Sequence, residues 1–101
     1  YLKIIYIMPF DIVIFKQGKE KEYVSIDEKL HQLIFSQDAI KQGRCRVLSK
    51  IKDYYLTDVI FQRKTLTDFV EDLKKLSLSE LSPIIKLLEQ PEIEKIRISG
   101  D

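Results

Sequence analysis

Hydrophobic residues in the stretch 48–76 change their spacing twice, which predicts a helix, a short strand and a second helix. Leu48, Ile51 and Tyr55 are spaced as on one face of a helix, whereas Val59 and Phe61 alternate as in a strand. Helical spacing then returns over 66–76. This order of elements fixes the class of the domain before any chemistry is considered.

Alternation also predicts strands near the N-terminus. Over 10–15, apolar residues fall on both parities, which favours a central strand that is covered on both faces. Gln17 and Gly18 supply a turn, and 20–25 returns as a second strand. The stretch 2–8 is a further strand candidate that Pro9 separates from this hairpin, and its assignment stays open.

Capping signals predict where the helices begin. Ser25 followed by Glu28 forms a capping box for a first helix, and Thr65 caps the helix of 66–76. Ser82 caps the last helix and Pro83 takes its first helical position, where a missing N–H costs nothing. A second helix of about 45–55 follows a loop at 36–44, and Ile96 and Ile98 alternate as in a final strand.

These elements predict a single α+β domain of residues 1–101, with a single mixed β-sheet and about four helices packed on it. The chain has 101 residues, of which 45% are hydrophobic and 33% charged, as in a soluble globular protein. The apolar N-terminal run is too short for a membrane span of ~20 residues and lacks a signal-peptide cleavage site. We expect a cytoplasmic protein without membrane partners. Whether the chain is complete, and whether its native start is Met8 or lies upstream, stays open.

Charge and cysteine content add little chemistry. The net charge is +1, although residues 1–52 hold ten basic and six acidic side chains and 53–101 hold seven and ten. This balance gives no general drive toward nucleic acid, so the basic stretch 41–52 is a weak candidate for it. Cys45 is the only cysteine, so an intramolecular disulfide is impossible. Arg44 and Arg46 would lower its thiol pKa if it were exposed, but a packed, inert thiol is the favoured reading.

No catalytic, cofactor or metal motif emerges from the sequence. The three glycines are isolated, so phosphate loops are absent, and one Cys with one His does not make a zinc site. We therefore predict no enzyme, no cofactor and no metal. His31, with Asp27 and Glu28 one helical turn before it, leaves a small enzyme open as an alternative, although we expect this histidine to lie on the surface.

Protein binding is the function that the residues favour. Asp53, Tyr54 and Tyr55 lie close to Asp58, and tyrosine is an efficient interface anchor. Because the helical spacing of 45–55 turns Tyr55 inward, we expect Tyr54 to face outward. Acidic residues extend onto the next helix, and the complete set of predicted partner-binding residues is Asp53, Tyr54, Asp58, Asp68 and Asp72.

Two segments carry a resemblance to a known family. The run L-x-x-I-x-D-Y-Y at 48–55 and the run T-L-x-x-F-x-x-D-L-x-x-L at 65–76 resemble small bacterial immunity proteins, which neutralise polymorphic or contact-dependent growth inhibition toxins. The resemblance implies a non-enzymatic cytosolic α+β protein that binds one toxin domain and blocks its active site. A scaffolding or regulatory domain of a larger bacterial protein is the alternative. The identity of the partner and the oligomeric state stay open.

Overall fold

The protein is an α+β domain with four strands and four α-helices in the described part of the chain, which confirms the predicted class. A computed structural model describes residues 10–18 and 21–100, so the strand predicted for 2–8 lies outside the described residues. The strands are β1 (Phe10–Lys16), β2 (Glu22–Ile26), β3 (Asp58–Gln62) and β4 (Ile93–Ser99). The helices are α1 (Glu28–Phe35), α2 (Asp38–Lys41), α3 (Lys64–Lys75) and α4 (Ser82–Leu88), and single 3₁₀ turns lie at Leu48–Ile51 and Ser79–Leu81.

The four strands form one sheet in the order β2-β1-β4-β3, and all three pairings are antiparallel. The expected mixed pairing is therefore not found between the described strands. The reason lies in the connections: one crossover helix returns a chain parallel to its first strand, whereas two successive helices allow it to re-enter the sheet from the same end. Both α3 and α4 lie between β3 and β4, so these neighbours run in opposite directions.

One face of the sheet is buried under the helices and the other is partly open. On β1, Phe10, Ile12 and Ile14 are fully buried, whereas Asp11, Val13 and Phe15 keep partial exposure. The expectation that β1 is covered on both faces was wrong. An antiparallel sheet can bury one face and leave the other to water, and β1 is central only because it pairs on both sides.

The apolar stripe of α3 lies on the buried face, as its spacing predicted. Phe69 and Leu73 are almost inaccessible to solvent, and the ring of Phe69 packs 5.0 Å from that of Phe61 on β3. Ile84 and Leu88 of α4 join the same core. Packing of this stripe, rather than intrinsic helix propensity alone, stabilises helices of this length.

The caps differ from those predicted. Asp27, not Ser25, caps α1, and its Oδ1 accepts a hydrogen bond of 2.8 Å from the Leu30 N–H. Ser25 lies inside β2, where its hydroxyl donates to Asp11 across the strand pair, so the ladder takes the residue that the local pattern assigned to the helix. Likewise, Thr65 lies within α3, which begins after Arg63, and Ser82 is the first residue of α4 rather than its cap.

The region predicted as a loop and a long helix forms shorter pieces. Residues 36–44 contain α2, and the helix predicted for about 45–55 is the single 3₁₀ turn Leu48–Ile51. Because the helix stops at Ile51, its periodicity does not extend to the two tyrosines that follow. This early end decides which tyrosine faces solvent.

Candidate protein-binding site

The predicted orientations of Tyr54 and Tyr55 are reversed in the structure. Tyr54 is 9% exposed and its ring stacks on Phe10, with centroids 5.4 Å apart and planes 19° apart. Tyr55 is 57% exposed, and Leu56 beside it is 81% exposed. The expectation that Tyr54 faces outward was wrong because a turn, not a helix, carries both side chains. The outward pair is Tyr55 and Leu56.

Asp53 holds this pair in place. One carboxylate oxygen of Asp53 accepts hydrogen bonds from the backbone N–H groups of Tyr55 (2.9 Å) and Leu56 (2.8 Å). The Thr57 hydroxyl donates to the Asp53 carbonyl at 2.5 Å, and the Thr57 N–H donates to the same carbonyl. This is the local closure for which aspartate is favoured in turns. We call residues 53–58 the acidic turn.

Gly100, the residue after β4, packs against the backbone of the acidic turn. The Gly100 N–H donates to the Thr57 carbonyl at 2.6 Å. A Cβ atom on Gly100 would lie 2.6 Å from the Tyr54 carbonyl oxygen and 2.7 Å from backbone atoms of Tyr55. Contacts that short do not occur, so glycine is needed here for the close approach of the two chain segments.

Further carboxylates surround the exposed pair. The Tyr55 hydroxyl donates to Glu28 at 3.3 Å, which brings the N-terminal end of α1, with Asp27, beside the acidic turn. Asp58 is exposed at the start of β3 and forms a two-pronged ion pair with Arg97 at 2.9 and 3.0 Å. Hydrogen bonding to Arg97 holds the pKa of the Asp58 carboxyl below its ordinary value of 3.8.

The two predicted site residues on α3, Asp68 and Asp72, differ in burial and in their hydrogen-bond partners. Asp68 pairs with Lys64 one turn earlier, at 3.0 Å, on the surface of the helix. Asp72 is 5% exposed, and its Oδ2 accepts hydrogen bonds of 3.0 Å from the backbone N–H groups of both Val47 and Leu48. A buried carboxylate that caps the 3₁₀ turn is not available to a partner, so Asp72 belongs to the core and not to the binding site.

His31 also lies in the core, contrary to the expectation of a surface residue. It is 6% exposed, and its Nε2 lies 2.9 Å from the Ile51 carbonyl oxygen. Its ring packs against Phe10 (5.0 Å), Phe35 (4.7 Å) and Tyr54 (5.1 Å). With Nε2 donating to that carbonyl, the imidazole joins α1 to the 3₁₀ turn.

The Cys45 thiol is buried, as predicted from the sequence. Cys45 is fully inaccessible, and burial raises its thiol pKa, with the Asp72 carboxylate adding to the rise. Lys75 and Arg44 lower the thiol pKa by smaller amounts, so basic neighbours do not activate this cysteine.

The sequence reasoning missed Leu56 and two exposed apolar residues of the sheet. Ile60 is 54% exposed and Tyr23 is 68% exposed. Alternation offered a signal for Ile60, which falls between the inward positions of Val59 and Phe61 on a strand that now proves to be open on one face. For Leu56 no periodic signal exists, because its exposure depends on where the preceding helix ends.

Among the described residues, no cluster of three or more His, Cys, Asp or Glu side chains is arranged to hold a metal ion. None of the described helices is both long and apolar enough to cross a membrane. Comparison of the chain with protein-family models, curated proteins and solved structures finds no match.

Proposed function

We propose that this protein binds another protein through the acidic turn, with Tyr55 and Leu56 as anchors, and that the partner is a bacterial toxin domain with a basic cleft. The observation that carries the proposal is the pair of exposed apolar side chains at 53–58. Because the Leu56 side chain is 81% exposed, its burial contributes almost nothing to the stability of the folded protein. Burial of the same side chain by a partner would instead contribute favourable free energy to binding.

Rigidity supports the anchor role. The backbone of Tyr55 and Leu56 is held by Asp53, and the base of the turn is held by Gly100. A partner therefore need not order this segment on binding, which removes an entropic cost of association. Tyrosine is among the residues that most often carry binding energy at the centre of an interface, which favours Tyr55 as the main anchor.

Charge supports the choice of a basic partner. Asp53, Asp27 and Glu28 present carboxylates around the anchors, and Asp58 extends this rim along β3. Inhibitors of nucleases commonly place carboxylates where the enzyme expects phosphates. The resemblance of 48–55 and 65–76 to immunity proteins points to the same partner class. Complementary charge of this kind speeds association and selects the partner.

The test is to co-purify the protein with the product of the neighbouring gene and to measure affinity by calorimetry. We expect Leu56→Ala and Tyr55→Ala each to weaken binding by more than ~1 kcal/mol, as central anchors do. Lys86→Ala is the control, because Lys86 is exposed on α4 and lies in neither the acidic turn nor the sheet. Association should also slow as salt is raised, since screening weakens attraction between exposed charges.

The outcomes separate the parts of the proposal. If the variants at Tyr55 and Leu56 bind as tightly as Lys86→Ala, the acidic turn is not the interface. If the anchors matter but the partner is not a toxin, the surface stands and the partner class is wrong. A continuous reading frame through Tyr1 would instead favour a domain of a larger protein.

A further inference from the structure

The sheet face opposite the described helices carries three ordered rows of side chains. The strand register places Phe15 beside Lys95 and Gln62, and Lys21 lies in line with them because its Nζ is 5.1 Å from the centre of the Phe15 ring. We call this the basic row: Lys21, Phe15, Lys95 and Gln62. The central row is Tyr23, Val13, Arg97 and Ile60, and the acidic row is Ser25, Asp11, Ser99 and Asp58.

Opposite charges occupy opposite ends of this face. Lys21 and Lys95 both place their ammonium groups 5.1 Å from the Phe15 ring centre, so two positive charges converge at one end. Asp11 and Asp58 hold the other end. Arg97 reaches from the central row to Asp58, which leaves the central row without an unpaired charge among its described side chains.

The central row is apolar enough to favour burial. Tyr23 on β2 is 68% and Ile60 on β3 54% exposed, and Arg97 on β4 and the partly buried Val13 on β1 lie between them. Two exposed apolar side chains and the partly buried valine form a band across the sheet, which Arg97 interrupts on β4. Such a band, rimmed by charges, is typical of an interaction surface.

We propose that a second copy of this chain covers this face, related by a two-fold axis that runs along the central row, across the strands. The argument is charge self-complementarity. Rotation about this axis lays the basic row of one protomer over the acidic row of the other, twice by symmetry. It also lays the two central rows against each other. An isologous interface requires such a self-complementary surface.

The rotation gives a specific pairing. Lys95 of one protomer comes over Ser99 of the other, one strand away from Asp11, since the second carboxylate of the acidic row, Asp58, is already paired with Arg97. Lys21 comes over Ser25, next to Asp11. Strand neighbours are ~4.8 Å apart, so each lysine lies within reach of a carboxylate across the interface. A two-fold axis parallel to the strands would instead place like charges together.

The size of the face sets the strength of the dimer. Four strands spaced ~4.8 Å apart and three rows spaced ~6.8 Å apart cover a flat area of roughly 400 Å² on each protomer. Counted on both protomers this is about 800 Å², below the roughly 1,200 Å² that specific interfaces bury in total. We therefore expect a weak, reversible dimer that forms only at high protein concentration. Asp58 belongs both to this face and to the acidic turn, so dimer formation is measured on the protein without its proposed partner.

Sedimentation equilibrium of the full chain tests the inference with charge reversals. The mass should rise with concentration from the 12.0 kDa of the monomer toward twice that value. Lys95→Glu and Asp11→Lys should each raise the dimer dissociation constant at least ~10-fold, because each places like charges opposite each other. The double variant Lys95→Glu, Asp11→Lys should restore dimerisation. Lys86→Glu, on the exposed side of α4, is the matched control and should change nothing.

Each result decides the question. A chain that stays monomeric at all concentrations overturns the proposal. Single reversals that weaken the dimer without rescue by the double variant overturn the charge pairing and its two-fold axis. Circular dichroism of each variant verifies folding, and an equimolar mixture of the two single variants provides a second readout, since it should form heterodimers. Gel shifts with a short single-stranded oligonucleotide that depend on Lys95 would show that the face serves nucleic acid instead.

Discussion

Replacing Asp72 with alanine removes the acceptor of two backbone hydrogen bonds inside the domain. The Asp72 carboxylate receives the N–H groups of Val47 and Leu48, each at 3.0 Å, and Lys75 lies 3.3 Å from its other oxygen. These bonds join α3 to the 3₁₀ turn that precedes the acidic turn. Without the carboxylate, the Leu48 N–H is left buried and without its acceptor.

The expected loss follows from these two bonds. A hydrogen bond to a charged group contributes about 1.5–3 kcal/mol, and an unsatisfied buried donor costs ~1–3 kcal/mol. The Val47 donor is only partly buried, so water replaces part of that bond. We therefore expect Asp72→Ala to lower the free energy of unfolding by about 3 kcal/mol. For a domain of this size, that corresponds to a fall of more than ~10 °C in Tm.

Urea denaturation followed by circular dichroism measures this loss, and Asp68→Ala is the matched control. Asp68 lies one turn earlier on α3 and pairs only with Lys64 on the surface, so its removal should cost less than ~0.5 kcal/mol. If both variants lose the same stability, the capping role of Asp72 is wrong. If Asp72→Ala is stable but fails to bind the partner, Asp72 belongs to the binding site after all.

Three further predictions test the core and the acidic turn. Arg97→Gln should raise the pKa of Asp58 toward its ordinary value of 3.8, as measured by NMR titration. Because Arg97 lowers this pKa in the folded state, the ion pair stabilises the protein above about pH 3.8. The stabilisation is lost as the pH falls through the pKa that Asp58 has in the folded protein. An unchanged Asp58 pKa would contradict the ion pair. His31→Ala should cost ~2–4 kcal/mol in chemical denaturation, because it removes a buried ring packed on Tyr54, whereas a neutral result would return His31 to the surface. Gly100→Ala should cost ~1–3 kcal/mol and also weaken partner binding, because its Cβ collides with the Tyr54 carbonyl; normal stability and affinity would contradict the close approach.

Long regular patterns predicted the fold well, because many residues contribute to each signal. The stripe of α3 repeats over three turns and buries Phe69 and Leu73 as expected. Alternation in β4 placed Ile96 and Ile98 in the core. The pairing of the strands could not be predicted, since it depends on how two consecutive helices return the chain to the sheet.

Short signals failed where tertiary contacts compete with them. Ser25 has the sequence context of a cap, but pairing of β2 with β1 holds it in the ladder and leaves Asp27 to cap α1. The helical periodicity of 45–55 failed in the same way, because the helix ends at Ile51 and the turn that follows places Tyr54 in the core. Asp72 did carry a signal: it lies three residues after Phe69 and four before Leu76, which is the spacing of the buried stripe.

Hydrogen–deuterium exchange of the protein, alone and bound to the product of its neighbouring gene, tests the proposed interface most directly. Peptides that cover the acidic turn, 53–58, should exchange more slowly in the complex, together with the N-terminal end of α1 that carries Asp27 and Glu28. The basic stretch 41–52 should keep its exchange rate. Protection confined to 41–52, with the acidic turn unchanged, would contradict the account and assign the interface to the basic surface.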